Sequence, residues 1–445
     1  MAKTFISFLG ASSYIPCYYQ SPYDAGQRHF SAYVQDAIIR LLMKPAGKDD
    51  RVILFLTRDA RCKNWDDGDG TRGLRSVLET MQSEAGFSFS IVDVDIPDVK
   101  DQDGIWEVFG IAGEHIPESS EVLFDITHAF RFLPMLGIVL VNYLRFVKNI
   151  TLSGIYYGAF EKLGTPPEVE KMPEEDRLAP IIDLTPFDYI MRFTGAAADF
   201  VNYGFSGSLK DMLLETVQPV LRETAGKDHS ARVLREFSKR LDAVAMALAT
   251  NRGLSIYEGK IFDQLRQSIH QVKNLENSTI LNALVPVLER VEYKIAGFKT
   301  GDIHNGLEAA RWCIDHNLVQ QGITILQETM VTMACDRAGI DHTSREWREF
   351  AGKALNVKGR NRQNARLHHL GEKVKELEEA RVQQFWNMIG EENFHEFLNI
   401  YMMLTQYRNY INHAGTLIDD KTRPVEFVDK LRDAYGRLIA ISGNL

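Results

Sequence analysis

Cysteine is scarce and scattered: Cys17, Cys62, Cys313 and Cys335 are the four in 445 residues, and none stands in a CxxC pair. That spacing lacks the usual structural-zinc pattern, and a chain this long has no need of a disulfide framework. Buried free thiols are the expectation. Long apolar runs are missing too. The longest, Phe132 to Leu144, is broken by Pro134 and Asn142 and flanked by Arg131 and Arg145. It falls short of the ~20 residues that a membrane span needs. The apolar stretch Thr4–Leu9 stops at Gly10, too early for a secretory segment, so a soluble, cytoplasmic protein with no membrane partner is expected. The loop after the first strand is not GxGxxG, no Walker A sequence occurs, and no HExxH, GxSxG or paired metal carboxylates with a histidine partner stand out. These absences leave dinucleotide, triphosphate, metalloprotease and serine-hydrolase chemistry without support; no metal and no cofactor are expected. Positive charge is not in surplus either. A formal charge of −9 argues against a protein that coats nucleic acid, while leaving room for a local basic pocket.

What is present is an apolar content of 45%, enough for well-packed cores, in a chain long enough for two or three domains. The first half alternates apolar strands (4–9, 51–57, 87–96, 121–127, 150–159) with helical patterns at about 28–43, 70–85, 102–112 and 129–148. Near-continuous apolar strands such as Val52-Ile53-Leu54-Phe55-Leu56 mark a parallel sheet covered on both faces, the doubly wound, Rossmann-like arrangement. Glu161–Pro180 reads as an exposed loop before a short last strand, 181–184, and Thr185-Pro186 as the start of a helix. Beyond that the pattern is helical: 187–203, 208–224, 229–250, 258–273, 278–298, 303–316, 318–337, 367–389 and 392–414. The predicted fold is thus an α/β domain at 1–185, a helical linker region at 186–300 and a helical domain at 301–445.

Ligands on doubly wound sheets sit outside the carboxyl ends of the strands. The first strand ends in Leu9-Gly10-Ala11-Ser12-Ser13, small and hydroxylated residues that offer donors to a phosphate but serve equally as a plain turn. The strand Val122-Leu123-Phe124 delivers Asp125, Thr127 and His128 to the same edge, with Arg131 in the next first turn. A cation gains nothing from a helix N-terminus, so Arg131 points to an anion nearby. Capping by Asp125 and Thr127 with a packed His128 explains these residues equally well.

In the helical half, arginine and histidine carry the candidate chemistry. Phe394, Phe397, Leu398, Tyr401 and Leu404 form a helical stripe that runs into Arg408-Asn409-Tyr410-Ile411-Asn412-His413, with Gly415 as a natural helix end. The spacing alone is cheap, since Arg311…His316 and Arg337…His342 repeat it. Five residues along a helix rotate by about 140° and rise roughly 7.5 Å, so Arg408 and His413 do not share one straight face. Either the helix end distorts or two copies complete one another's site. Such a set suits RNA cleavage: His413 moves a proton near neutral pH, Arg408 stabilises charge on the phosphorane-like transition state, and Asn409 and Asn412 orient the groups. A helix-terminal arginine with a capping histidine is the simpler alternative. The basic tract Lys353–His369 is either a guide for RNA or a solvated loop.

The Asp-Ile-Thr-His-x-Phe-Arg segment at 125–131 and the Phe-Leu-Gly-x-Ser start at 8–12 resemble the CRISPR-associated Rossmann fold (CARF) domain. Arg-Asn-x-x-Asn-His at 408–413 resembles the Arg-x4-6-His signature of HEPN ribonucleases. Their order, with the helix Trp312…Gln320…Glu328 ahead of the motif, resembles the CARF–HEPN accessory ribonucleases of type III CRISPR systems, most weakly across 205–300. The resemblance implies a homodimer, or higher homo-oligomer, that cuts single-stranded RNA without metal. It implies activation by cyclic oligoadenylate, cyclic tetra-adenylate favoured, in antiviral defence. By it, Gly10, Ser12, Ser13, Thr57, Asp125, Thr127, His128 and Arg131 bind the activator, and Arg408 and His413 form the catalytic pair. Asn412 departs from several relatives, which carry Ala there. Slow cleavage of the activator by the CARF domain is a further property of some relatives. A non-catalytic nucleotide-sensing regulator and a nuclease acting on DNA are the alternatives.

Overall fold

A computed structural model describes the chain except residues 46, 69–70, 85, 129–132, 276–278, 361–392, 415, 417–421 and 443–445. It divides into two compact units, Met1–Tyr189 and Ile190–Leu445.

The first unit is built on eight strands: β1 (Lys3–Leu9), β2 (Cys17–Gln20), β3 (Arg28–Ser31), β4 (Arg51–Leu56), β5 (Ser90–Asp95), β6 (Glu121–Asp125), β7 (Thr151–Gly158) and β8 (Leu178–Asp183). Their order is β3-β2-β8-β7-β6-β1-β4-β5. The run β7-β6-β1-β4-β5 is parallel throughout, while β8 is antiparallel to β7 and β3 to β2. Relabelled within the parallel run, that is order 5-4-1-2-3, so the winding reverses between β1 and β6 and opens a crevice there. Successive residues of a strand face opposite sides, which is why the apolar run of β4 feeds two cores. Val52, Leu54 and Leu56 pack with Phe5, Leu9 and Trp65 on one face. Ile53 and Phe55 pack with Ile6, Phe8, Val122 and Phe124 on the other.

The covering helices are α1 (Val34–Ile38, continued by a wider turn to Met43), α2 (Arg58–Ala60), α3 (Leu74–Gln82), α4 (Gln102–His115), α5 (Leu133–Val147) and α6 (Pro166–Glu170). α5 lies close on the sheet because of Gly137, where a Cβ would come within 2.4 Å of Cζ of Phe124. Two expectations need correction. The pattern at 28–43 is not one helix: 28–31 is strand β3, and the helix starts at Val34. The strand Cys17–Gln20 is short and pairs in parallel with residues 178–180, so its partners are invisible to local pattern. The loop 161–180 also carries α6, closed by a capping box between Thr165 and Glu168.

From α7 (Thr185–Tyr203), within which the division between units falls, the chain is helical among the described residues. α8 (Gly207–Glu223), α9 (His229–Ala249), α10 (Gly253–Glu258), α11 (Lys260–Lys273) and α12 (Thr279–Lys294) come first. α13 (Asn305–Asp315), α14 (Val319–Arg337), α15 (Arg345–Arg360), α16 (Phe394–Asn412) and α17 (Pro424–Ser442) follow and join them in the same compact unit. α14 is buried on most sides, from Ile323 and Leu326 to Met330 and Cys335, and packs against α13, α15, α16 and α17. Such all-round apolarity belongs to a central helix. α15 and α17 carry no counterpart in the predicted pattern, and the expected helix at 367–389 lies outside the described residues. Among the described residues no helix is long and apolar enough to cross a membrane.

Candidate functional site

Each unit presents one candidate site. In the first, the residues that close β1, β4, β5 and β6 meet at the crevice, around a cavity of about 350 Å³ lined by Gly10, Ser12, Thr57, Ile96, Thr127 and His128, among others. Sheet register places Ser7 directly beside Asp125. Asp125 is fully buried; its carboxylate accepts from Ser7 Oγ at 2.7 Å, from the Thr127 amide at 2.9 Å and from Thr127 Oγ1 at 2.5 Å. Gln35 Nε2 in turn donates to Ser7 Oγ at 3.1 Å. Burial outweighs these hydrogen bonds and pushes the Asp125 carboxyl up to about 6. Asp125 therefore lies beneath the cavity and holds Thr127, whose Oγ1 also accepts from the Gly158 amide at 2.7 Å.

His128 stands beside Tyr14, ring centroids 4.5 Å apart, and burial takes its imidazole down to about 4, so the ring is neutral. Its Nε2 has no partner among the described residues. A buried nitrogen of that kind, at a cavity wall, suits a ligand. The first loop is held from two sides that local pattern did not disclose. Tyr14 hydroxyl accepts from the Gly10 amide at 2.9 Å, and Asn64 Nδ2 donates to the carbonyls of Gly10 and Ser12 at 2.7 and 2.8 Å. Gly10 is required by this closeness, since a Cβ would lie 2.8 Å from the Tyr14 oxygen. Ser13 is exposed on the same loop, and Arg131 lies outside the described residues.

In the second unit, the stripe Phe394, Phe397, Leu398, Tyr401 and Leu404 is buried, as the periodicity predicts, and so fixes how α16 presents its end. α16 is helical to Asn412, and His413 caps it with φ −88° and ψ 8°, donating its amide to the Asn409 carbonyl at 3.0 Å. The helix end is regular, so Arg408 and His413 stay about 140° apart around the axis. Asn409, Asn412 and His413 are exposed; Gly415 lies outside the described residues.

Arg408 is half-buried and gripped from α14. Its Nη1 donates to Gln327 Oε1 at 3.0 Å and to Glu328 Oε1 at 2.9 Å. Gln327 Nε2 donates to Thr405 Oγ1 at 2.7 Å, which sets the amide's orientation. The other oxygen of Glu328 takes Arg348 Nη2 at 2.8 Å, so one carboxylate serves two guanidinium groups. Burial alone would raise the Glu328 carboxyl, but the hydrogen bonds and charges of Arg348 and Arg408 prevail and hold it below the usual range. The two other Arg–His pairs of this spacing form a helix cap and a turn. His316 caps α13 with its ring against Trp312, and Arg337…His342 spans a turn at Gly339, φ +66°. The basic tract begins in α15, whose residues 353–360 it takes up, and its remainder lies outside the described residues. Among the described residues no group of three His, Cys, Asp or Glu is placed to hold a metal ion.

Fold and site define a two-unit protein: a doubly wound α/β unit with a crevice at its carboxyl edge, and a helical unit that displays an Arg–His helix end. No protein-family model matches the chain. Its sequence is similar to the CRISPR-associated protein MJ1674 of Methanocaldococcus jannaschii, 25% identical over 244 residues. That alignment covers 53% of this chain and 33% of the relative, so the chain matches about a third of the curated relative's length. Among solved structures, Enterococcus italicus Csm6 bound to cyclic hexa-2′-fluoro-hexa-dAMP aligns over 100% of this chain and 95% of that one, with a TM-score of 0.43 and 11% identity.

Proposed function

We propose that this chain is a CRISPR-associated endoribonuclease of the CARF–HEPN kind, which cuts single-stranded RNA without metal when cyclic oligoadenylate occupies its α/β unit. The observation that carries the reading is Arg408, pinned by Glu328 and Gln327 near the end of a helix that an exposed His413 caps. A guanidinium held at one Nη and an imidazole about 1.4 turns further on suit attack of a ribose 2′-hydroxyl on the adjacent phosphate, which breaks the bond to the next nucleotide's 5′-oxygen and leaves a 2′,3′-cyclic phosphate and a 5′-hydroxyl. His413 takes or returns the proton, and Arg408 stabilises the pentacoordinate oxyanion. The regular helix end favours the two-copy arrangement over a distorted one: a homodimer brings two arginines and two histidines to one cleft. The α/β crevice supports the activator half of the reading. A neutral His128 and the Ser12 hydroxyl offer uncharged polar groups, and Phe55 and Ile96 an apolar wall, to an adenosine phosphate. A cavity of about 350 Å³ takes one nucleotide of a ring, which calls for a second copy to hold the rest.

The test is cleavage of a labelled RNA in EDTA, with and without cyclic tetra-adenylate or cyclic hexa-adenylate. Activator-dependent cleavage, lost in both Arg408→Ala and His413→Ala, is the expected outcome. A requirement for Mg²⁺, or activity that survives both substitutions, defeats the reading. Equal cutting of an all-DNA strand, which lacks the 2′-hydroxyl, defeats the mechanism.

A further inference from the structure

Beside Arg408 the helical unit holds a second cavity, of about 370 Å³, that no motif in the sequence announces. Its wall is assembled from four stretches: Asn251 and Leu254 before and within α10, Ile325 and Glu328 in α14, His342 and Arg348 before and within α15, and Arg408 in α16. The volume is at the small end of the ~300–1,000 Å³ typical of ligand sites, room for one nucleotide and no more. Arg348 spends both Nη groups inside the protein. It donates to Glu328, to Thr332 Oγ1 at 2.8 Å and to the His342 carbonyl at 3.1 Å, so it fixes the wall and ties it to the carboxylate that grips Arg408. What remains for an occupant is the chemistry of a base. Leu254 is 56% exposed and gives an apolar face, and the half-buried His342 ring meets Tyr257 edge-on, 6.5 Å between centroids at 88°. Asn251 adopts a left-handed backbone, φ 52°, and its side-chain carbonyl has no partner among the described residues. Base N–H groups are its natural complement.

We propose that this cleft seats the base of the RNA nucleotide next to the bond that is cut, and thereby sets the sequence preference of cleavage. The inference rests on the ribonuclease reading only in placing a phosphate at Arg408. Two variants test it on the full chain, both at partly exposed positions: Leu254→Trp, which fills the cleft, and His342→Ala, which removes a wall. Products from a randomised RNA pool, sequenced under saturating cyclic oligoadenylate, should show the wild-type preference at one position beside the cut relaxed by about tenfold in either variant. In parallel, the four nucleoside 5′-monophosphates are titrated calorimetrically into His413→Ala protein whose α/β crevice is saturated with cyclic oligoadenylate, where Leu254→Trp should abolish binding. Cleavage of RNA with an unchanged base preference in both variants overturns the cleft assignment and leaves the ribonuclease reading intact. Absence of RNA cleavage, together with monophosphate binding that Leu254→Trp removes, keeps the cleft as a nucleotide site and discards the ribonuclease. Monophosphate binding indifferent to Leu254→Trp, or none at all, with no cleavage to read, overturns both.

Discussion

Glu328 is the residue on which the geometry of Arg408 depends, and replacing it with glutamine is the most informative single change. The amide presents one carbonyl oxygen to two guanidinium groups and turns its NH2 toward the other. A hydrogen bond to a charged group contributes ~1.5–3 kcal/mol. The Glu328 side chain is 38% exposed, so solvent screening lowers the expected loss of stability. About 1–2 kcal/mol is the figure to expect, and at ~2–4 °C per kcal/mol for a unit of this size the melting temperature falls by about 2–8 °C. The catalytic loss should be larger than the structural one. Arg408 keeps only Gln327, and a displacement of roughly 1 Å in a positioned group costs on the order of 100-fold in rate. Steady-state cleavage of labelled RNA under saturating activator should show that loss in kcat, with KM moving far less. The pair Glu328→Gln and Arg408→Ala should be strongly non-additive, because the first acts through the second. The pH dependence has a definite sign. The folded carboxyl lies below its ordinary range, so its stabilisation is present above about pH 4.3 and fades as pH falls through the folded value. The gap in melting temperature between wild type and variant should therefore close in acid. A kcat within twofold of wild type, or a loss that simply multiplies with that of Arg408→Ala, refutes the positioning role.

Asp125→Asn tests the floor of the α/β crevice. Burial raises the folded carboxyl to about 6, so the folded protein binds the proton more tightly than the unfolded chain and stability falls as pH climbs from about 4 to about 6. The variant should gain on wild type across that window by about 2–3 kcal/mol, in chemical denaturation, and hold the gain at neutral pH. Asn64→Ala releases the carbonyls of Gly10 and Ser12 and should weaken calorimetric binding of cyclic oligoadenylate by about tenfold, for a loss of about 1–2 kcal/mol in two hydrogen bonds. Mixing Arg408→Ala with His413→Ala protein tests the two-copy site: mixed dimers should regain part of the cleavage that neither variant shows alone. No recovery after confirmed subunit exchange rejects a site shared between chains. Arg131→Ala should raise the activator concentration needed for half-maximal cleavage and spare the maximal rate, and a change in maximal rate alone contradicts a sensing role.

Local order was legible wherever local pattern carries the information. The apolar run of β4 and the spacing of Phe394 to Leu404 follow from residue periodicity, because burial on two faces or one stripe is imposed every two or every 3.6 residues. Gly10, Ser12, Thr57, Thr127 and His128 were placed at one sheet edge for the same reason: winding order brings strand ends together whatever the loops contain. Strands β2 and β3 leave no local signal because β2 pairs with residues 178–180 and β3 with β2, and the last helix, α17, because its apolar stripe is diluted by charge. Only the tertiary structure decided how the candidate residues are held. Asn64 reaches back across 52 and 54 positions to the first loop, and Gln327 and Glu328 grip Arg408 across 81 and 80. His342, which ends another Arg–His pair of the same spacing, lines the cleft beside Arg408. Side-chain hydrogen bonds between distant segments depend on how helices pack, and packing is a property of the whole core. The sequence alone thus determined which residues stand at the ends of which elements. The packed chain determined which of them meet, what holds each one still, and where a cleft is left open.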